Sequence, residues 1–337
     1  MRRSRKIITY LVVAVAVFFL LIVTNRWYRQ SITVHARQIS PTIDEYAIPP
    51  EVTDHAIDDW LESHYVAVDK SVASNGHLFL FFSGTYGHPG RQRLITQQAA
   101  TLGYHAINLR YPNSATVAQL CRNSEDPDCH EKVRLEILYG SDLSDQVNIS
   151  RANSIENRLV KLLLHLHQKQ PKEGWLEYLD GNVPKWSTIT VAGHSQGSGH
   201  AAMIAHQHQV ARVVMFGGPA DYSRVLQASA PWLGKSSATS ADRYYGFIHG
   251  RDRGFRRILR AWELMGMSQS GKIVNVDVQL PPYNYAQQLV TSAIPARPGK
   301  YHGSVVTDHT TPMKRDGKPS FLDVWKYLCD ISADYKM

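Results

Sequence analysis

Apolar runs of strand length alternate with segments of helical period along most of the chain. "HLFLFF" (77 to 82) precedes "PGRQRLITQQAATLG", and "YHAINLRY" (104 to 111) precedes a long polar stretch and then "ENRLVKLLLHLHQK". "TITVAGH" (188 to 194) leads into "GSGHAAMIAHQHQ", "ARVVMFGG" (211 to 218) into a polar segment, and "YYGFIHG" (244 to 250) into "RRILRAWELMG". "KIVNVDVQL" (272 to 280) is read as the last strand and "SFLDVWKYLCDI" as the terminal helix. The strand segments are continuously apolar, which is the mark of strands buried on both faces, and the helices between them supply crossovers. The pattern therefore predicts an α/β class with a mostly parallel central sheet covered by helices on both faces.

Two segments break the alternation, residues 112 to 149 and 221 to 242, and each follows the C-terminal end of an expected strand. Ligands in open α/β sheets bind outside the carboxyl ends of the strands, so both inserts are candidate walls of a site. The N-terminus differs in kind. From Ile7 to Val23, "IITYLVVAVAVFFLLIV" carries no charge; at about 1.5 Å per residue it covers most of a bilayer core of about 30 Å. "TNRWYRQ" follows without a small-residue cleavage pattern and supplies Trp27 and Tyr28 at the interface, so an uncleaved anchor is expected rather than a removed signal peptide. The expected organisation is a cytoplasmic basic segment over 1 to 6, a transmembrane anchor over 7 to 23, a proline-punctuated tether over 24 to 55, and one domain over 56 to 337.

Charge and cysteine content narrow the class. The net charge of +8 is concentrated at the N-terminus, where Arg2, Arg3, Arg5, Lys6, Arg26 and Arg29 meet no acid; setting those six aside leaves 31 basic against 29 acidic side chains. A near-neutral domain argues against a nucleic-acid partner. Four basic residues before the apolar run and two after it place the N-terminus in the cytoplasm and the domain outside. In an exported domain Cys121 and Cys129 are placed to close a short disulfide loop, leaving Cys329 as a buried thiol. A Cys/His metal site using His130 is the competing reading, but the spacing matches no standard zinc pattern.

"VAGHSQGSGHAA" (191 to 202) holds the candidate chemistry. Gly193-His194-Ser195-Gln196-Gly197 reads as G-x-S-x-G, which works only where a buried strand turns sharply into a helix and leaves the serine hydroxyl exposed. A β-branched run precedes it and a small-residue helical pattern follows, so Ser195 is the candidate nucleophile. With the order of strands and helices, this turn and the insert positions, the chain resembles the α/β-hydrolase superfamily over roughly residues 60 to 335. "SGTYGHPG", "DPDCH", "GHSQGSGHAA" and "HGSVVTD" are similar to an exported branch of it.

The resemblance implies an α/β-hydrolase fold with inserts over the C-terminal strand ends, and a serine, acid, histidine order along the chain. It places the base after the last strand, where only His302 and His309 stand; His302 is favoured and His309 is the alternative. The acid expected beyond the penultimate strand is Asp252, with Asp221 as the position used by some lipase branches and Asp308 as a further candidate. Imidazole accepts the serine proton and a carboxylate holds the imidazole in orientation. The oxyanion donors expected are the backbone amides of Gln196 and, from the loop "FFSGTYGHPG", Thr85, where the family's usual H-G-x is replaced by Ser83-Gly84-Thr85. Trp232 and Tyr222 in the second insert are candidate pocket walls.

The reading is a membrane-anchored, extracytoplasmic serine hydrolase of carboxylesterase or lipase type, acting on a small-molecule, lipid or glycan ester without metal or organic cofactor. Two alternatives carry different chemistry: acyl transfer to an envelope glycan or lipid alcohol, and a non-catalytic binding module, which would show a missing or displaced triad partner.

Overall fold

In the computed structural model the described residues are 39–267 and 271–331. The expected anchor over 7 to 23, the segment before it and the first part of the tether lie outside them. No helix among the described residues is long and apolar enough to cross a membrane.

Among the described residues nine strands form one sheet: β1 (Ile43–Ile48), β2 (His64–Asp69), β3 (Leu78–Phe82), β4 (His105–Leu109), β5 (Ile189–His194), β6 (Arg212–Phe216), β7 (Tyr244–His249), β8 (Val274–Asn275) and β9 (Gln288–Thr291). Their spatial order is β1-β2-β4-β3-β5-β6-β7-β9-β8. β2 runs antiparallel to both neighbours and every other pair is parallel. This is the large, mostly parallel sheet that the apolar runs predict.

Among the described residues seven α-helices connect and cover the strands: α1 (Arg93–Ala100), α2 (Val117–Leu120), α3 (Cys129–Tyr139), α4 (Ile155–Lys169), α5 (Gln196–Gln207), α6 (Phe255–Leu264) and α7 (Leu322–Cys329). The central strands divide their side chains between two cores. Leu78, Leu80 and Phe82 of β3 point to the side of α3, α4, α5 and α6, whereas Phe79 and Phe81 point to the side of α1 and α7. Each such side chain is fully buried, worth roughly 1.5–3 kcal/mol. A one-residue slip would exchange the two sets, so both cores fix the register.

Two expectations from the sequence need correction. The tether over 24 to 55 is not structureless throughout, because Ile43–Ile48 form an antiparallel edge strand paired with β2 from Ile43↔Asp69 to Ile48↔His64. Its acidic, half-exposed sequence IDEYAI hides it, since an edge strand needs apolar groups on one face only. "KIVNVDVQL" is not the last strand. Only Val274–Asn275 pair there, and the chain then turns, with the Asn275 side chain accepting the Asp277 amide at 2.8 Å. Gln288–Thr291 instead fills the sheet between β7 and β8.

Candidate active site

The turn that follows β5 is built by close approach. Ser195, between β5 and α5, has φ 55° and ψ −115°, a conformation a non-glycine residue keeps only where its surroundings over-determine it. They do so here: the Ser195 amide donates to the Phe216 carbonyl at 2.8 Å. The Ser198 hydroxyl donates to the carbonyls of Gly193 (2.6 Å) and Phe216 (3.1 Å). A Cβ on Gly197 would strike the Phe82 carbonyl, and one on Gly193 would strike the Gly197 backbone. Glycine is required at both positions by proximity rather than by a positive φ.

Across the carboxyl end of the sheet, His302 Nδ1 lies 2.6 Å from Asp252 Oδ2. Asp252 follows β7 in a tight turn, and its Oδ1 accepts the Gly254 amide at 2.7 Å. Burial alone would raise the Asp252 carboxyl, but the hydrogen bond and charge of His302 and the Gly254 amide outweigh it and hold it below the ordinary aspartate value. The acid is 3% exposed and the imidazole 45%, so a sealed carboxylate holds a ring that faces solvent. Gly217, at the end of β6, turns the chain at φ 60° beside His302 and Asp252.

The other two candidate acids are engaged elsewhere. Asp221 accepts both Nε (2.7 Å) and Nη2 (2.6 Å) of Arg134, from α3, and also the indole of Trp232 at 3.0 Å. Burial opposes its charge, but the Arg134 guanidinium wins and holds the carboxyl at about 2. Asp308 accepts the first two amides of α1, from Arg93 at 3.0 Å and Leu94 at 3.3 Å, and so stands in for the missing N-cap. His309 lines the same cleft as His302 without a carboxylate partner among the described residues.

The loop after β3 faces the start of α5. The Thr85 hydroxyl donates to the Gln196 side-chain oxygen at 2.8 Å. The Gln196 amide opens α5, where helix geometry leaves N–H groups without intrahelical acceptors. Asn113, from the first insert, pins this loop: its side-chain nitrogen donates to the carbonyls of Gly84 (2.7 Å) and Gly87 (2.9 Å), and its backbone carbonyl accepts the Tyr86 amide at 2.9 Å.

Ser195, His302, Asp252, Thr85 and Gln196 all line one cleft of about 1030 Å³. The first insert contributes Thr116, Val117 and Ala118 to its wall, held by a capping box in which Thr116 and Gln119 bond reciprocally. Cys121 and Cys129 are joined in a disulfide, Cα atoms 5.8 Å apart, between that wall and α3, so neither is available to a metal. Among the described residues no group of three or more His, Cys, Asp or Glu side chains could hold a metal ion. The second insert behaves otherwise than expected. Trp232 is buried against Asp221 and Tyr222 lines a separate hollow, so neither reaches the Ser195 cleft.

Three residues here have no role in the sequence reading. His194, inside the G-x-S-x-G turn, donates its Nε2 hydrogen to the His302 carbonyl at 3.1 Å, and the two rings lie 4.8 Å apart. Burial, then the neighbouring His302, depress the His194 imidazole to about 3, so it stays neutral. Arg134 also reaches the Gln196 carbonyl at 3.3 Å and lies against Gly199, tying α3 to α5. Its signal was present: Val133, Arg134, Ile137 and Leu138 share one helical stripe, and a cation inside an apolar stripe requires a buried partner. Asn113 and His194 offered no such signal.

No family model matches the chain, and no curated protein matches its sequence. Among solved structures it is similar to a bacterial heroin esterase at 13% identity, with 90% of each chain covered and a TM-score of 0.40. It is also similar to a hormone-sensitive lipase from a metagenome library at 12% identity, covering 88% of this chain and 87% of that one with a TM-score of 0.38. A further similar structure is the BES protein from Bacillus cereus, at 11% identity over 89% of this chain and 99% of that one, with a TM-score of 0.36.

Proposed function

We propose that the protein is a serine hydrolase that cleaves a carboxylic ester through an acyl-enzyme on Ser195. The observation that carries this reading is the 2.6 Å contact between His302 and a sealed Asp252 in the cleft that the strained Ser195 also lines. A serine hydroxyl is a weak nucleophile until an imidazole accepts its proton. In this reading His302 Nε2 takes the proton as Ser195 Oγ bonds to the ester carbonyl carbon. Asp252 holds the Nδ1 hydrogen and stabilises the positive ring. The carbonyl oxygen becomes an oxyanion facing the Thr85 and Gln196 amides. Collapse breaks the bond to the alcohol oxygen, which leaves with the proton from His302. Water, deprotonated by the same imidazole, then attacks the acyl group and releases the acid and free Ser195.

The exposure of His302 favours water over an alcohol as acceptor, since transfer to an alcohol requires a site that excludes water. A binding module would tolerate a displaced partner, and the His302–Asp252 contact counts against that alternative. The Ile7 to Val23 run supports a single-pass anchor with the domain outside the cytoplasm. Protease digestion of intact cells and spheroplasts tests that orientation.

The decisive experiment compares wild type with Ser195→Ala on short acyl esters and with a serine-reactive phosphonate. Ester turnover and labelling confined to wild type are expected. Equal labelling of both proteins would overturn the reading.

A further inference from the structure

We propose that the cleft selects an ester bearing a negatively charged group, a carboxylate, phosphate or sulfate, near the scissile bond; this rests on Ser195 as the nucleophile. Three of the four arginine and lysine side chains lining the cleft are chain neighbours of the members of the acid–base pair. Arg251 and Arg253 flank Asp252, and Lys300 stands two residues before His302; all three are exposed and line the cleft. Arg251 Nη1 donates to the Tyr301 hydroxyl at 3.3 Å, which brings the two loops together at the mouth.

The balance of charge in the cleft is one-sided. Of the two acids lining it, Asp221 is consumed by Arg134 and Asp252 by His302. Arg251, Arg253 and Lys300 have no ion-pair partner among the described residues. Among the described residues some exposed cations elsewhere find acids, as in Lys70–Asp44, Lys132–Asp126, Lys235–Glu131 and Arg260–Glu263, and others such as Arg122, Lys172 and Arg224 do not, so what marks the cleft is that three such cations converge on it. In a domain of nearly balanced charge, three unpaired cations around one cleft concentrate positive potential where substrate enters. His309, in the same cleft, has its imidazole held below the ordinary value by burial first, then by Arg297 and Arg91, with Lys300 the smallest contributor. The lining also includes Val117, Ala118, Ala220 and Ile258, apolar side chains that suit the uncharged part of such an ester.

Two matched pairs of esters locate the charge. Mono-4-nitrophenyl adipate against 4-nitrophenyl hexanoate places it on the acyl side, and 4-acetoxybenzenesulfonate against 4-(methylsulfonyl)phenyl acetate places it on the alcohol side. The readout is the anionic-to-neutral ratio of kcat/KM, corrected for spontaneous hydrolysis. A ratio of about tenfold or more is expected in at least one pair at low salt, shrinking in about 0.5 M salt. It should fall towards one in the R251Q/R253Q/K300Q variant and persist in the charge-keeping R251K/R253K variant. Ratios near one in both pairs for wild type, or a ratio unchanged by the triple substitution, would overturn the proposal. If no ester is turned over, the hydrolase reading itself has failed. The charge preference is then read by calorimetry, titrating Ser195→Ala with the two anionic esters. Salt-sensitive binding that the triple substitution removes supports an anion-selective cleft, and absence of binding overturns it.

Discussion

Asp221 and Asp252 occupy matching places one strand apart, each just past the carboxyl end of a buried parallel strand, β6 or β7. Both are buried, which opposes their charge, and both carboxyls are nonetheless held below the ordinary aspartate value, Asp221 by the Arg134 guanidinium and Asp252 by hydrogen bonds from His302 and the Gly254 amide. Their partners differ. Asp221 meets a buried guanidinium and a buried indole, so its charge is spent tying α3 to the loop after β6. Asp252 meets an imidazole that is nearly half exposed and faces the Ser195 cleft. The lesson is that a buried carboxylate with a basic partner is suited to holding structure or to supporting proton transfer according to whether the partner can exchange a proton with something outside. Arginine cannot, and histidine can.

That contrast can be broken in several ways. Asp252→Asn should lower kcat by roughly 10⁴-fold with the thermal midpoint little changed, because the amide stabilises the wrong imidazole tautomer. Steady-state kinetics beside a melting curve would show it. Asp221→Asn should do the reverse, costing about 3–5 kcal/mol of stability by leaving Arg134 buried without its charge partner, as measured by urea unfolding. A large kcat loss in that variant at full stability would exchange the roles assigned to the two acids. Replacing both partners, Arg134→Met with Asp221→Leu, should lose less than Asp221→Asn alone, since no unpaired charge is left inside.

A smaller effect attaches to the first insert. Cys121→Ser with Cys129→Ser opens a loop of sequence separation 8 and should cost roughly 2–3 kcal/mol, visible as equal urea midpoints for wild type in reductant and the variant. The smallest effect is the acid limb of stability. Asp221 falls from 3.8 to about 2 on folding, so its contribution of roughly 2 kcal/mol is fully present above pH 3.8 and is lost as pH falls towards 2. Between those limits wild type should lose stability more steeply with falling pH than the Arg134→Met, Asp221→Leu protein.

The parts of this molecule visible in its sequence are those where one short segment carries its own physics. β3, β5, β6 and β7 read as strands because continuous apolar runs have no other use between helices. β1 escaped because an edge strand buries alternate residues only, and β9 because four residues beside a tyrosine-rich turn carry too little pattern. In the site, the glycines of G-x-S-x-G marked the turn at Ser195. The same histidine that fills its second position, His194, gave no sign that it would hold the His302 carbonyl.

The sequence by itself determined the α/β class, the sharp turn at Ser195 and a short set of acids and bases beyond it. Only the tertiary structure shows how they pair. It set Arg134 against Asp221, 87 residues away, and His302 against Asp252, 50 residues away. Periodicity and turn chemistry are local and can be read along the chain. The partner of a loop carboxylate is fixed by how distant segments pack, and no spacing along the chain records it.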